Sequence, residues 1–318
     1  MQDLLELTTT RHNPHIDPYM SMWEWQIPLY LFLGGIVAGM MIISGFFIFS
    51  KRYKETDCAC FSTPLISLIL ISLGMFFLFL DLSHKLYVWR LYTTFKINSP
   101  MSWGAWILLL VYPALILNLL LKPPLFIQEK IKSIANISLK ISSHPFLVKI
   151  IGIANMLIGL MLSAYTGVLL SVMGSRPLWN SSLLWFLFLV SGLSTAAAFV
   201  HLFAKNKYES ELLAKADNGF LTLELFVIFM YIIGLLSSAK PHKEAATLLI
   251  NGPFAPAFWV LVILMGILIP LFIQLLAVNH KIKHTPVAPI FVILGGIILR
   301  FIIVEAGQYS HWFNAHFK

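Results

Sequence analysis

The chain has 318 residues, of which 58% are hydrophobic and only 11% charged, where a soluble globular domain carries roughly a quarter charged residues. This composition excludes a soluble core and predicts an all-α integral membrane protein. The net charge of +8 does not point to nucleic acid, because Lys and Arg of a membrane protein collect in the loops of one side.

In chain order, the N-terminal tail carries Asp3, Glu6 and Asp17 and lacks a basic region ahead of its first apolar run, so it does not read as a cleaved signal peptide. Eight apolar runs follow, at roughly 26–49, 62–82, 102–121, 150–173, 181–203, 219–239, 255–278 and 287–307. The connections hold loop punctuation such as Lys122-Pro123-Pro124 and Lys240-Pro241, and Ser99-Pro100 reads as an N-cap and first-turn proline. In the long 122–149 connection, Ile127, Ile131, Ile134, Ile137 and Ile141 recur at helical spacing among lysines, a pattern that fits an amphipathic helix on an anionic leaflet or a solvated loop. Cys58 and Cys60 are too few for a structural zinc or a cluster, so no role is assigned to them. Small residues such as Gly35, Gly39, Gly152 and Gly159 mark close helix contacts.

Loops after the first, third, fifth and seventh runs hold the majority of the 22 Lys and Arg, which puts both termini outside, in the periplasm of a diderm bacterium with the chain in its inner membrane. With that orientation the costly polar residues converge on the outer leaflet. Gln26 and Tyr30 share one side of the first helix, Asp81 and His84 close the second, Trp103 opens the third, and Tyr165 lies in the outer half of the fourth. Arg300 stands just past mid-membrane in the last run and Glu305 near its outer edge.

Such a set suits oxidation of a lipid-soluble quinol, whose ring oxygens need hydrogen-bonding partners and whose protons need an acceptor. Asp81, His84 and Tyr165 are the candidate catalytic groups; Gln26, Tyr30, Trp103 and Arg300 are candidates to hold the quinone. Lys85 and Arg90 are alternative partners for Asp81, and Tyr30 and Trp103 also fit an interfacial aromatic belt. A thinner inward set of Asn155, His201 and Glu224, with Glu305 outside, defines the alternative of a proton path in a larger quinone-linked complex. Haem is disfavoured because His84 and His201 fall at opposite faces and cannot share one iron. A transporter would place its site at the midplane in broken helices, whereas Pro113 and Pro270 read as lacking charged company.

The runs WEWQIPLYLFLGGIVAG from Trp23, DLSHK from Asp81, SPMSWGAW from Ser99, AYTGVLLS from Ala164, RPLW from Arg176 and GGIILRFIIVEAGQ from Gly295 together resemble the NrfD/PsrC-like membrane subunits typified by polysulfide reductase. The resemblance implies eight transmembrane helices arranged as two four-helix bundles, 26–173 and 174–318, behind a periplasmic tail, 1–25. It also implies menaquinone bound near the periplasmic face without haem. Electrons would pass to an iron–sulfur (ferredoxin-like) subunit and on to a molybdopterin catalytic subunit. By position in the motifs, Tyr30, Asp81 and Tyr165 match the quinone-side and proton-side residues, and Arg300 matches the last-span arginine.

Overall fold

The computed structural model describes residues 23–50, 63–82, 84–124, 129–204, 207–279 and 285–312. The tail's Asp3, Glu6 and Asp17, the Cys58/Cys60 pair and Ile127 lie outside them. Within the described residues the helices are α1 (Gln26–Phe49), α2 (Thr63–Asp81), α3 (Trp89–Thr93), α4 (Pro100–Leu121), α5 (Lys132–Ser142), α6 (Pro145–Ser171), α7 (Leu184–Phe203), α8 (Lys207–Ser237), α9 (Lys240–Ile250), α10 (Ala257–Val278) and α11 (Val287–Tyr309). Eight of these, all but α3, α5 and α9, are long and apolar enough to cross a membrane. Helix is what an apolar segment must form there, since hydrocarbon offers no partner for a free backbone N–H or C=O.

The protein is thus all-helical and multi-pass, as the apolar runs predict. One boundary moves far. α8 begins at Lys207 and not near 219, because the charged stretch KYESELLAKADNG continues the helix and carries Asp217 and Asn218 into the packed interior. Its residues are mostly good helix formers, and their charge disguises them as a loop.

α1 is the most enclosed span and packs against α2, α6, α7 and α11; α4 packs on α6 and α2, α7 on α8, and α10 on α11. Lipid tails are as apolar as the side chains, so the hydrophobic effect does not drive these contacts; close packing and interhelical hydrogen bonds do. At Gly39, a Cβ would lie 2.4 Å from the Gly192 carbonyl oxygen and 2.5 Å from the Ala196 Cβ, so α1 and α7 approach backbone to backbone. Deeper in the same group of helices the Asn118 amide donates to Ser44 Oγ at 3.0 Å, and the Asn155 amide donates to the Ala114 carbonyl at 3.4 Å, tying α4 to α1 and α6.

The connection between α4 and α6 holds α5, whose Ser138 and Ser142 hydroxyls donate to the Leu121 carbonyl at 3.2 and 3.3 Å. Ile134 and Ile141 are half-buried, whereas Ile137 and Leu139 are exposed. α10 is π-helical from Ala257 to Leu268. Two features lie at the end of the widened turns. Pro270 withdraws a donor and crowds the preceding turn, and Gly266 meets Gly295 so closely that a Cβ on either would fall within 2.7 Å of the other's Cα.

Both ends of the described chain meet at one end of the helical body, here called the terminal face. There the Gln308 side chain accepts from the Trp23 N–H at 3.2 Å and donates to the Trp23 carbonyl at 2.9 Å.

Candidate functional site

Tyr30 and Tyr165 meet beneath the terminal face. α1 presents Gln26 and Tyr30 one turn apart, α6 presents Tyr165, and both tyrosines are buried, at 2% and 7% exposure. Their hydroxyls are hydrogen-bonding neighbours, and the Tyr92 hydroxyl of α3 lies within electrostatic range of both. Gln26 Oε1 has no hydrogen-bond partner, and the Tyr30 hydroxyl interacts, among the described residues, only with the phenols of Tyr165 and Tyr92. Buried polar atoms are nearly always paired, so the Gln26 oxygen, one turn from a cluster of three phenols, calls for a partner from outside the chain. Burial, and then the neighbouring Tyr112, pushes the Tyr92 hydroxyl above the ordinary phenol range and leaves it a proton-bearing donor at neutral pH.

Space for Tyr165 is made by α4. A Cβ on Gly104 would fall 1.9 Å from Tyr165 Cζ and 2.1 Å from its hydroxyl oxygen. Gly104→Val is therefore expected to drive the phenol out of its seat, lowering affinity for any ligand at Tyr30 while all eight spans still insert. The check is a titration of the purified variant with a soluble naphthoquinone.

Asp81 ends α2 at the same face, half-buried, with the Glu24 carboxylate as its electrostatic neighbour. Neither Lys85 nor Arg90 pairs with it: among the described residues it has no ion-pair partner, and the Arg90 guanidinium instead stacks over the Tyr87 ring at 4.7 Å. Asp81 and His84 line one cleft of about 560 Å³ with Lys85 and Tyr87. A neighbouring cleft of about 370 Å³ is bounded by His84, Arg90 and Lys96 together with Ser99 and Ser102. Ser102 Oγ accepts from the Lys96 N–H at 3.0 Å and donates to the Thr94 carbonyl at 3.2 Å, which closes the loop between α3 and α4. Ser99 precedes α4 as expected but makes no side-chain cap. Trp103 donates its indole N–H to the Ile97 carbonyl at 2.6 Å and is 40% exposed, so it braces that loop and does not face Tyr30.

Arg300 occupies a second polar site, formed by α7, α8, α10 and α11. Its Nη1 donates to Ser191 Oγ at 3.1 Å and its Nη2 to the Phe188 carbonyl at 3.0 Å, with the guanidinium 4.2 Å above the Phe188 ring. The Glu224 carboxylate faces Arg300, Ser191 and Ser194. Two turns earlier on α8, Asp217 accepts from Gln274 Nε2 at 2.6 Å and from Ser194 Oγ at 3.2 Å. All six side chains are buried. Pro270 is consequently not isolated from charge: Gln274 lies one turn along α10 and holds a carboxylate. The remaining sequence candidates are dispersed. His201 bonds Ser210 Oγ at 2.9 Å at the face opposite the termini, and Glu305 is exposed near the end of α11. His84 and His201 stand at opposite ends of the body.

Asp217, Tyr92 and Glu24, like Ser191 and Gln274, escaped the sequence reading. Asp217 was hidden by the apparent loop before α8. Tyr92 sits in a stretch rich in aromatic and basic residues that hides one phenol among several. Glu24 lies within the WEWQ run but ahead of the first helix, where a carboxylate looks merely solvated.

Comparison with known proteins adds an independent line. The polysulphide reductase NrfD family matches residues 10–310. A polypeptide of the polysulfide reductase of Wolinella succinogenes is 31% identical, the match covering 92% of this chain and 96% of that protein. The protein NrfD homolog of Haemophilus influenzae is 28% identical over 93% and 96%. A selenate reductase subunit of Mesobacillus selenatarsenatis is 24% identical, over 89% of this chain and 73% of its own length.

Proposed function

The chain belongs to the NrfD family, and from that premise we propose that it is the quinol-oxidising membrane subunit of a multisubunit reductase. The observation that carries this reading is the unpartnered buried oxygen Gln26 Oε1, one turn from the mutually facing phenols of Tyr30, Tyr165 and Tyr92. Tyr30, Tyr92 and Tyr165 are hydroxyl donors, and Gln26 Oε1 is an acceptor; between them they suit the oxygens of a naphthoquinol ring. Bound menaquinol would supply two electrons and two protons. Asp81, partly open to the terminal face and unpaired with any cation among the described residues, is placed to accept a proton and pass it to water, with Glu24 beside it. The electrons leave through an iron–sulfur (ferredoxin-like) partner on that face toward a molybdopterin subunit. The terminal face is then periplasmic and the membrane is the bacterial inner one. Two of the relatives are named as components of reductases, one of polysulfide and one of selenate, which supports membership of such an assembly.

Titrating 2,3-dimethyl-1,4-naphthoquinone onto the purified full-length protein tests the reading. Saturable binding is expected, weakened about tenfold by Gln26→Leu or Tyr30→Phe, the loss of one buried hydrogen bond each. Binding that ignores both changes would remove it.

A second reading, proton translocation, is favoured by the Asp217–Glu224–Arg300 series, since ionisable groups inside a span are costly and mark ion or proton pathways. Arg300 also reaches toward α1, where a Cβ on Gly35 would sit 3.4 Å from its Nη2. In proteoliposomes holding the assembled complex, this reading requires proton uptake from the side opposite the termini, lost in Asp217→Asn with naphthoquinone binding intact.

A further inference from the structure

We infer that the loop joining α6 to α7, through Trp179, is a positioning clamp that sets the first turn of α1 and thereby the quinone-binding groups on it; the inference rests on the quinol reading above. α1 opens without a side-chain cap of its own, so its entry geometry must be fixed from outside. Trp23, just ahead of it, is held in two ways. Its ring stacks on the wholly buried indole of Trp179, centroids 5.3 Å apart and planes at 28°. Its backbone N–H and carbonyl are both taken by the Gln308 side chain.

The far side of the clamp is equally specified. Trp179 Nε1 donates to the Ile303 carbonyl of α11 at 2.8 Å. The Gly307 backbone leaves no room there for a Cβ, which would stand 1.8 Å from that nitrogen. Arg176, fully buried, donates from Nη1 to the Ser310 carbonyl at 3.0 Å and to His311 Nδ1 at 2.8 Å, fixing the end of α11. Tyr231 of α8 donates to the Leu178 carbonyl at 2.5 Å. The loop therefore grips α8 and α11 on one side and Trp23 on the other.

One residue beyond Trp23 is Glu24, beside Asp81, and three beyond is Gln26, with its unpartnered oxygen. Nothing in the clamp touches the quinone-side hydroxyls directly; it acts through the placement of residues 23–26. Misplacing a binding group by about 1 Å costs up to 10²-fold, so a change at Trp179 is expected to register at Gln26 on the opposite side of Trp23.

The test measures naphthoquinone affinity and its pH dependence on the folded, purified protein. Trp179→Phe and Gln308→Leu are expected to weaken binding about tenfold and shift its pH profile, as Gln26 and the Glu24–Asp81 pair move. Gln308→Glu keeps an acceptor for the Trp23 N–H and should recover part of the affinity. Ser138→Ala, which loses a hydroxyl bond to the Leu121 carbonyl at the opposite end of the body, should bind as wild type. If Gln26→Leu and Tyr30→Phe weaken binding while Trp179→Phe and Gln308→Leu do not, the clamp is overturned and the quinol reading stands. If wild type shows no saturable binding, the quinol reading fails and the clamp with it. A purely structural role would lower the yield or the melting temperature of the clamp variants while leaving the affinity and pH profile of the folded fraction unchanged, and that result also overturns the clamp.

Discussion

Asp81→Asn is expected to stop menaquinol oxidation by the assembled complex while leaving assembly intact. The side chain ends α2 at a half-buried position and has no ion-pair partner among the described residues, so an isosteric neutral amide creates neither a cavity nor an orphaned charge. An amide cannot accept the proton. General bases contribute about 10²–10⁴-fold, and a fall of that size in stopped-flow quinol oxidation is the expected result. Glu24 is close enough to substitute in part, so Glu24→Gln added to Asp81→Asn should remove residual turnover, whereas Glu24→Gln alone should have a small effect. An Asp81→Asn complex that oxidises quinol within a few-fold of wild type would take Asp81 out of the mechanism.

Arg300→Met is expected to be strongly destabilising. The guanidinium supplies hydrogen bonds to Ser191 and the Phe188 carbonyl and faces Glu224, all of it buried among α7, α8 and α11. Removing the guanidinium leaves the Ser191 hydroxyl, the Phe188 carbonyl and the facing Glu224 carboxylate without it, at about 1–3 kcal/mol for each buried group left unsatisfied. The same principle fixes the rescue: Glu224→Gln on top of Arg300→Met should restore much of the loss, because the orphaned charge goes with it. Unfolding of the purified protein by heat or by sodium dodecyl sulfate reads both. Equal stability of wild type and Arg300→Met, or strictly additive costs in the double variant, would show that Arg300 and Glu224 do not act as a pair.

The helical spans were legible because hydrocarbon dictates a length and a polarity that few soluble segments mimic, and the six motif runs pointed to the family that the comparisons bear out. Polar residues were legible one at a time but not as partners. Gln26 and Tyr30 could be paired from their spacing on one helix. That Tyr165 meets Tyr30 depends on how α1 packs on α6 and on the vacancy at Gly104, neither of which the linear chain expresses. Arg300 was legible as a charge past mid-membrane that needs a partner, but not that α7 and α8 supply Ser191, the Phe188 carbonyl and Glu224. Asp217 was lost because charge density alone marked residues 207–218 as a loop, when a helix can carry charge inward if Ser194 and Gln274 wait to receive it. Trp103 was legible as an aromatic at an interface, and its indole bond to Ile97 gives that position a local bracing role.

The proposed mechanism puts a quinone ring between α1 and α6 under the terminal face. Photolabelling membranes with an azido-naphthoquinone, followed by mass spectrometry of the labelled peptides, tests this directly. Label that a soluble naphthoquinone competes away should fall on the peptides carrying Gln26 to Tyr30, Tyr92 and Tyr165. Competable label confined to the Asp217–Gln274 region, or to the face that carries His201, would contradict it.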